Sequence, residues 1–426
     1  MIREQRMKKR YAAEKRFQFL GVVSIGISIF FVCLLLFKVF STGSTAFFKT
    51  TIQTEVDFDK KLLELEDIKN PTLKQIKEAE FFDVTYKAAT SLYPYKNDEE
   101  EKSVKLLLGG NYEYEIKSYL LKNPKMLGKK VIIELTASDD LDQLHKGNFP
   151  RNIPEDRRRL NNFQLNVYDN LVEQGKIGSS ISDYFLFSGD SRDPEIAGVA
   201  GAVIGSFFSI IICLIISFPI ALMAAVYLEE FAPKNVITDI IEININNLAA
   251  VPSIVFGLLG LGMLLGVFGM PRSTALVGGM TLSLMTLPTI IIACRASLKA
   301  VPPSIREGAL AIGASKVQTV CHHVVPLAMP GTLSGTIIGL AQALGETAPL
   351  LLIGMVAFVV DVPSVPTDPS TSLPVQIYLW SESAERGFVE KTSATIMLLI
   401  GFLVIMNSLA VWARQKFERK WQSGAT

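Results

Sequence analysis

Apolar positions along this chain collect into six long runs, and the polar stretches between them divide it. From Phe17 to Phe40 the chain is almost uncharged for 24 residues, and seven basic residues (Arg3, Arg6, Lys8, Lys9, Arg10, Lys15, Arg16) precede that run. A spanning helix with a cytoplasmic N-terminal side is expected, because ~20 apolar residues cross a bilayer and basic flanks stay inside. A cleaved leader is the competing reading, but its apolar core would be only ~7 to 15 residues long. Further runs at 197–228, 244–269, 274–293, 327–358 and 393–413 predict five more spans and put both termini inside. Arg414, Lys416, Arg419 and Lys420 follow the last run at once, which agrees. The segment from Cys294 to Val325 then lies inside, and that from Asp361 to Lys391 lies outside.

Residues 41–195 hold no apolar run long enough to span and have the texture of a water-soluble domain. Leu160, Phe163, Val167 and Leu171 recur at steps of three and four, which predicts an amphipathic helix from about Pro154 to Gly175. Lys130 to Thr136 predicts a short strand. The acid run Asp98 to Glu101 and the group Asp139, Asp140 and Asp142 match no calcium-loop spacing, so both are expected as solvated surface.

Composition supports this division. The chain is 49% hydrophobic and 19% charged, with a mean hydropathy of +0.33, too apolar for an ordinary soluble enzyme and too charged for bilayer protein alone. A formal net charge of +1 excludes a nucleic-acid binder with a broad basic surface. Residues 41–195 carry 22 basic and 27 acidic side chains, net −5; the rest carries 42 − 22 = 20 and 41 − 27 = 14, net +6. All four cysteines (Cys33, Cys213, Cys294, Cys321) lie outside the acidic block, so it holds no disulfide. With no C-x-x-C and three histidines, no metal site or cofactor is expected.

The spans are rich in small residues at steps of four: Gly201 and Gly205, Gly262 and Gly266, and Gly331, Gly335, Gly339 and Ala343. Each set falls on one helix face, where backbones can approach closely. The inner segment carries Glu307-Gly308-Ala309-Leu310-Ala311-Ile312-Gly313 and, nine residues on, His323-Val324-Val325-Pro326. Pro302 and Pro303 stop the incoming helix, a short helix is expected near Ser304 with Glu307 in its first turn, and Gly313 permits a bend. In the fifth span Gln342 and Glu346 stand four apart, so they are expected on one face. Gln342 lies about 18 Å along the helix from Pro330 at 1.5 Å per residue, a little past the middle of a ~30 Å core. An acid at such depth is rarely left facing lipid.

The inner motif resembles the EAA loop of ABC-importer permeases, with Gly308, His323 and Val325 departing from the usual residues. Three further stretches are similar to the PstA-type permease subunits of phosphate-specific ABC transporters. They are Val251-Pro252-Ser253-Ile254-Val255-Phe256-Gly257, Leu287-Pro288-Thr289-Ile290-Ile291 and Ala343-Leu344-Gly345-Glu346-Thr347-Ala348-Pro349-Leu350. Ser372-Leu373-Pro374-Val375-Gln376-Ile377-Tyr378 joins them, and the resemblance covers about residues 185–415. Residues 41–175 look like the N-terminal extension of a longer subgroup.

The resemblance implies a type I ABC-importer permease fold: an all-α polytopic membrane protein of six transmembrane helices with an inserted α/β or α+β extracytoplasmic domain. Its implied parts are 1–40 (basic N-terminus and first helix), 41–195 (outer domain), 196–413 (permease core with the coupling loop 294–325) and 414–426 (basic tail). It implies import of inorganic phosphate across the bacterial inner membrane. The implied partners, besides membrane lipid, are a second phosphate permease, two ATP-binding subunits and an extracytoplasmic phosphate-binding protein. Glu307, Gly308, Ala309, Gly313 and Pro326 would couple to the ATPase; Gln342, Glu346 and Thr347 are candidates for the translocation path. An Arg often stands where this chain has Gln342. Because no G-x-x-x-x-G-K-[ST] occurs, ATP hydrolysis is left to the partners and no enzyme activity is expected. The alternatives are an importer of another oxyanion or a phosphonate, and a membrane sensor, for which an inner output domain is missing. Ser334 makes no G-x-S-x-G, and His322 and His323 point some 100° apart on a helix, which suits interfacial rather than metal-binding residues.

Overall fold

The structure, a computed structural model, describes residues 2–65, 71–356 and 358–422; the end of the basic tail, 423–426, lies outside them. The chain opens with α1 (Ile2–Gly43), whose apolar part is mostly exposed, as a lipid-facing helix can be, and whose end packs against α18 at Gly43. A short turn delivers it into β1 (Phe48–Asp57). There follow α2 (Leu73–Glu78), α3 (Phe82–Thr90), α4 (Asp98–Lys105), α5 (Tyr112–Lys122), β2 (Lys130–Thr136), α6 (Asp139–His145), α7 (Asn162–Glu173), β3 (Ile177–Ile181) and α8 (Asp183–Phe187).

The strands form one antiparallel sheet in the order β2-β1-β3, with Thr51 opposite Thr136 on one side and Gly178 on the other. With an all-antiparallel sheet and separate helices, the inserted domain is α+β. Ile52, Val56, Ile133 and Leu135 meet Ile116, Leu120, Val167 and Leu171 in its core. β2 occupies the predicted residues. The predicted helix from Pro154 begins only at Asn162: Glu155–Arg157 is a 3-10 turn, and Asn161 caps the helix, its side chain accepting from the Gln164 N–H while the Asn161 N–H donates to the Gln164 side chain. Asp98 to Glu101 form the first turn of α4, where acids favour the positive helix end. The group Asp139, Asp140 and Asp142 is not free surface. Asp142 is buried and accepts from the Thr50 N–H and hydroxyl, and Asp139 accepts from the Gly387 N–H at 3.2 Å. An acid docked against another part of the chain reads in sequence like a solvated one.

The remaining elements are α9 (Ala200–Val226), α10 (Val236–Ala249), α11 (Ser253–Leu259), α12 (Ala275–Lys299), α13 (Pro303–Ala311), α14 (Lys316–Thr319), α15 (Val325–Gly345), α16 (Ala348–Leu352), α17 (Leu373–Ser381) and α18 (Gly387–Gln422). Among the described residues, five helical runs are long and apolar enough to cross a membrane: Arg10–Phe47, Ala200–Phe231, Ala275–Lys299, Lys316–Gly345 and Gly387–Lys416. A sixth crossing requires the pair Val236–Ala249 and Ser253–Val267 to act together, and these meet at 104°. The expected span 244–269 is therefore bent, broken between α10 and the run Ser253–Val267. Pro252 lacks an N–H and its ring disfavours helix at Val251, so the helix stops and restarts in another direction.

The sheet domain meets the end of α1 and the starts of α9 and α18, whereas residues 300–315 meet the ends of α9 and α12. Domain and loop thus lie at opposite ends of the spans, and both chain termini run toward the loop's end. Of the small-residue rows, two do close packing: a Cβ on Gly205 of α9 would strike the Thr371 carbonyl, and on α15 a Cβ on Gly335 would overlap the Cβ of Ala293 on α12 and one on Gly331 would strike Ser297. Gly262 has open space around it. Gly335→Leu is accordingly expected to destabilise the helix pair by about 2–3 kcal/mol through overpacking, while Gly262→Leu stays near neutral. Thermal unfolding of the detergent-solubilised protein, followed by size-exclusion chromatography, distinguishes the two.

Candidate functional site

At the loop end, α12 finishes at Lys299 and Pro302 and Pro303 start α13. Proline suits the first helical position because its missing N–H would have no partner there. α13 ends in a Schellman motif: the Gly313 N–H donates to the Leu310 carbonyl at 3.0 Å and the Ala314 N–H to the Ala309 carbonyl at 3.1 Å. Gly313 has φ +90°, the left-handed region that such a closure needs and that side chains resist. Ser315 then caps α14, exchanging bonds with Gln318. From Lys316 one helical run continues through a π-turn at Val320–Val324 into α15. Two helices joined by a tight left-handed turn make a bracket whose second arm is the start of a span.

The bracket is held by a group that sequence reading missed. Arg306 donates through Nη2 to Glu230 at 2.6 Å, through Nε to the same carboxylate at 3.1 Å, through Nη1 to the Val301 carbonyl at 2.7 Å and through Nη2 to the Leu298 carbonyl at 2.9 Å. Glu230 stands in the π-turn Tyr227–Phe231 that extends α9. Its neighbour Glu229 lies 3.5 Å from Arg295 and 3.6 Å from Lys299, and Arg295 reaches Glu242 on α10 at 2.5 Å. Four elements are thus tied together by alternating charges where the spans end. The available signal was the pair of acids closing an apolar run on the side where Arg295, Lys299 and Arg306 also end or begin helices.

The expected coupling residues are only partly brought together. Glu307 is exposed, but it sits in the second turn of α13 rather than the first, because the helix begins at Pro303. Gly308 is exposed with open space beside it, while Ala309 is buried and anchors the closing turn. Leu310, Ile312 and Val317 are 51%, 83% and 58% exposed, an apolar edge that nothing in this chain covers among the described residues. Pro326 is apart from this surface, inside the continuous helix and half-buried. His322 and His323 are exposed on the π-turn.

In the candidate path, α15 ends at Gly345. Glu346 is its C-cap (φ −77°, ψ 126°), so the chain leaves the helix directly after it, and the expected face carrying Gln342 and Glu346 stops at the helix end instead of continuing along a span. Gln342 is exposed, and Glu346 and Thr347 are half-exposed at the break before α16. α16 packs back onto α11, with Pro349 against Gly257. Gln342, Glu346 and Thr347 therefore line a helix break rather than a helix side. The arrangement offers hydrogen-bonding groups at an interrupted span.

Residues 217–421 match a family described as "binding-protein-dependent transport system inner membrane component". Residues 4–155 match a separate one described as a domain of unknown function, DUF3333. The chain is 31% identical to the "probable ABC transporter permease protein YqgI" of Bacillus subtilis strain 168 over 41% of this chain and 58% of that protein. It is 31% identical to that organism's "probable ABC transporter permease protein YqgH" over 53% of this chain and 74% of that protein. It is 30% identical to the "probable phosphate transport system permease protein PstA" of Methanocaldococcus jannaschii over 49% of this chain and 73% of that protein. The matched segments thus span about three fifths to three quarters of these relatives.

Proposed function

We infer that this chain, which belongs to the binding-protein-dependent transport system inner membrane components and is therefore a multi-pass, non-catalytic permease of an ABC importer, conducts inorganic phosphate. The observation that carries the phosphate reading is 30% identity with a probable phosphate permease over 73% of its length. The motifs Val251–Gly257, Ala343–Leu350 and Ser372–Tyr378 point the same way. In this reading the bracket around Glu307 and Gly313 faces the cytoplasm, with both termini, and the sheet domain lies outside. The exposed edge Leu310, Ile312 and Val317 docks on one of two ATP-binding subunits. A second permease completes the path, and an extracytoplasmic phosphate-binding protein delivers substrate. Gln342, Glu346 and Thr347 line this chain's half; the basic group that an anion requires comes from the second permease, because Gln342 stands where phosphate permeases often carry Arg.

The test is uptake of labelled phosphate by cells in which this chain is the sole permease of its kind, with and without competing phosphonate and arsenate. Saturable uptake lost on deletion and restored by the gene supports the reading; unaffected phosphate uptake with lost phosphonate uptake would replace it. In the same assay Glu346→Gln is expected to lower uptake or remove its pH dependence while ATP hydrolysis by the assembled complex persists.

A further inference from the structure

We propose that the outer sheet domain is a proton-sensitive clamp on the start of the last span, closed at low pH and loosened as pH rises. The grip is built from side chains of both parts. Asp142 on α6 holds the Thr50 N–H and hydroxyl on β1 and binds Lys146 at 2.6 Å; Lys146 reaches Glu390 on α18 at 2.7 Å; Glu390 accepts from Thr45, just after α1, at 2.6 Å. Arg159 joins Asp140 to Glu385 across the same seam. At the edge of this network Asp139 accepts from the Gly387 N–H, the first residue of α18, and a Cβ on Gly387 would collide with both the Asp139 carboxylate and Pro194. The backbone of α18 thus sits directly against the Asp139 carboxylate and Pro194. α18 in turn packs Leu399, Phe402, Leu403 and Met406 in one apolar cluster with Leu340, Ala343 and Leu344 of α15. The clamp therefore bears on the neighbour of the span that grows out of the bracket.

Burial raises the Asp139 carboxyl to about 7; the Gly387 N–H opposes this, while Asp140, Glu195 and Asp142 add to it. Asp140 and Asp142 belong to its own helix, and Arg159 is the cation on the domain side. Glu195, whose own carboxyl is pushed up by burial, comes from the segment before α9; Glu385, Arg386, Glu390 and Lys391 come from α18 and the turn before it. Part of the burial, and the approach of Glu195, exist only when the domain is seated. The seated state therefore binds the Asp139 proton more tightly than the open state. Seating is fully favoured below the ordinary carboxylate range, weakens as pH rises toward 7 by at most about tenfold per unit from this group, and is level above that.

The test is hydrogen exchange, read by mass spectrometry, of the 385–391 backbone amides of the full chain in its assembled complex in lipid nanodiscs. It runs from pH 5 to 8 and is corrected for intrinsic exchange rates. In the natural protein the opening equilibrium is expected to grow by roughly tenfold or more between pH 5 and 7 and then flatten. Asp139→Asn keeps an acceptor for the Gly387 N–H without the charge, so opening should stay low and flat with pH. A flat natural profile, or an Asp139→Asn profile as steep as the natural one, overturns the clamp. If Asp139→Asn does not assemble, Glu195→Gln must reduce the slope, and an unchanged slope overturns it equally. Either result is independent of which solute the importer carries.

Discussion

Gly313→Val is expected to reduce coupled transport at least tenfold while the chain still inserts and pairs with the second permease proposed above. The Schellman closure of α13 needs φ +90° at this position, and a β-branched residue there costs about 2–3 kcal/mol. A Cβ at Gly313 meets nothing within 4 Å, so the effect is one of backbone strain and not of crowding. Relief requires another φ, which breaks the Ala314-to-Ala309 and Gly313-to-Leu310 bonds and changes the angle between α13 and the run beginning at Lys316. The two halves of the proposed docking surface then no longer present themselves together. Substrate-stimulated ATP hydrolysis in the reconstituted complex measures this, with Gly313→Asn as the milder control because Asn tolerates positive φ better. Wild-type stimulation by the Val variant would show that the turn does not set the docking geometry.

Arg306→Ala is expected to be as damaging, by a different route. It leaves Glu230, whose side chain is only 9% exposed, without its partner, and frees the Val301 and Leu298 carbonyls. Losing one member of a largely buried pair costs about 3–5 kcal/mol, and partial access of solvent to Arg306 lowers this to about 2–3 kcal/mol. α13 should detach locally from the ends of α9 and α12 without unfolding the spans. Limited proteolysis between 300 and 315 should accelerate by about an order of magnitude or more, and ATPase stimulation should fall. Arg306→Lys keeps the charge but lacks the planar fork that pairs bidentately with Glu230 while reaching both carbonyls, so intermediate protection is expected. Protection equal to the natural protein in Arg306→Ala would mean that the prolines alone position α13.

The two changes fall on residues with different visibility in sequence. Gly313 was legible because the run from Glu307 to Pro326 resembles the EAA loop of ABC-importer permeases, whose central Gly falls at this spacing. Arg306 was not, because its importance comes from Glu230, 76 positions away, and from two carbonyls whose helix ends beneath it. Glu346 was misjudged for a related reason. Counting four residues on from Gln342 assumes that the helix continues, and it ends at Gly345, with the chain extended at Glu346 before it enters α16. The broken pair at Val251-Pro252 was hidden by the same assumption, since hydropathy sums apolar residues without regard to direction.

Residue order alone settles what local chemistry decides: where the apolar runs lie, which side bears basic flanks, that residues 41–195 hold no run able to span, that Lys130–Thr136 is a strand, and that proline, glycine and serine bracket a turn between two spans. These follow from interactions within a few residues or from transfer of a whole segment into lipid, and both are properties of composition in order. Only the tertiary structure decided which charges meet. Asp139, Asp140 and Asp142 are solvated or docked depending on whether α18 begins beside them. Glu229 and Glu230 are loose surface acids or the hub of the inner end depending on where Arg295, Lys299 and Arg306 arrive. An ion pair is worth little in water and much when seated, so its value is set by the surroundings, which residue order alone does not contain.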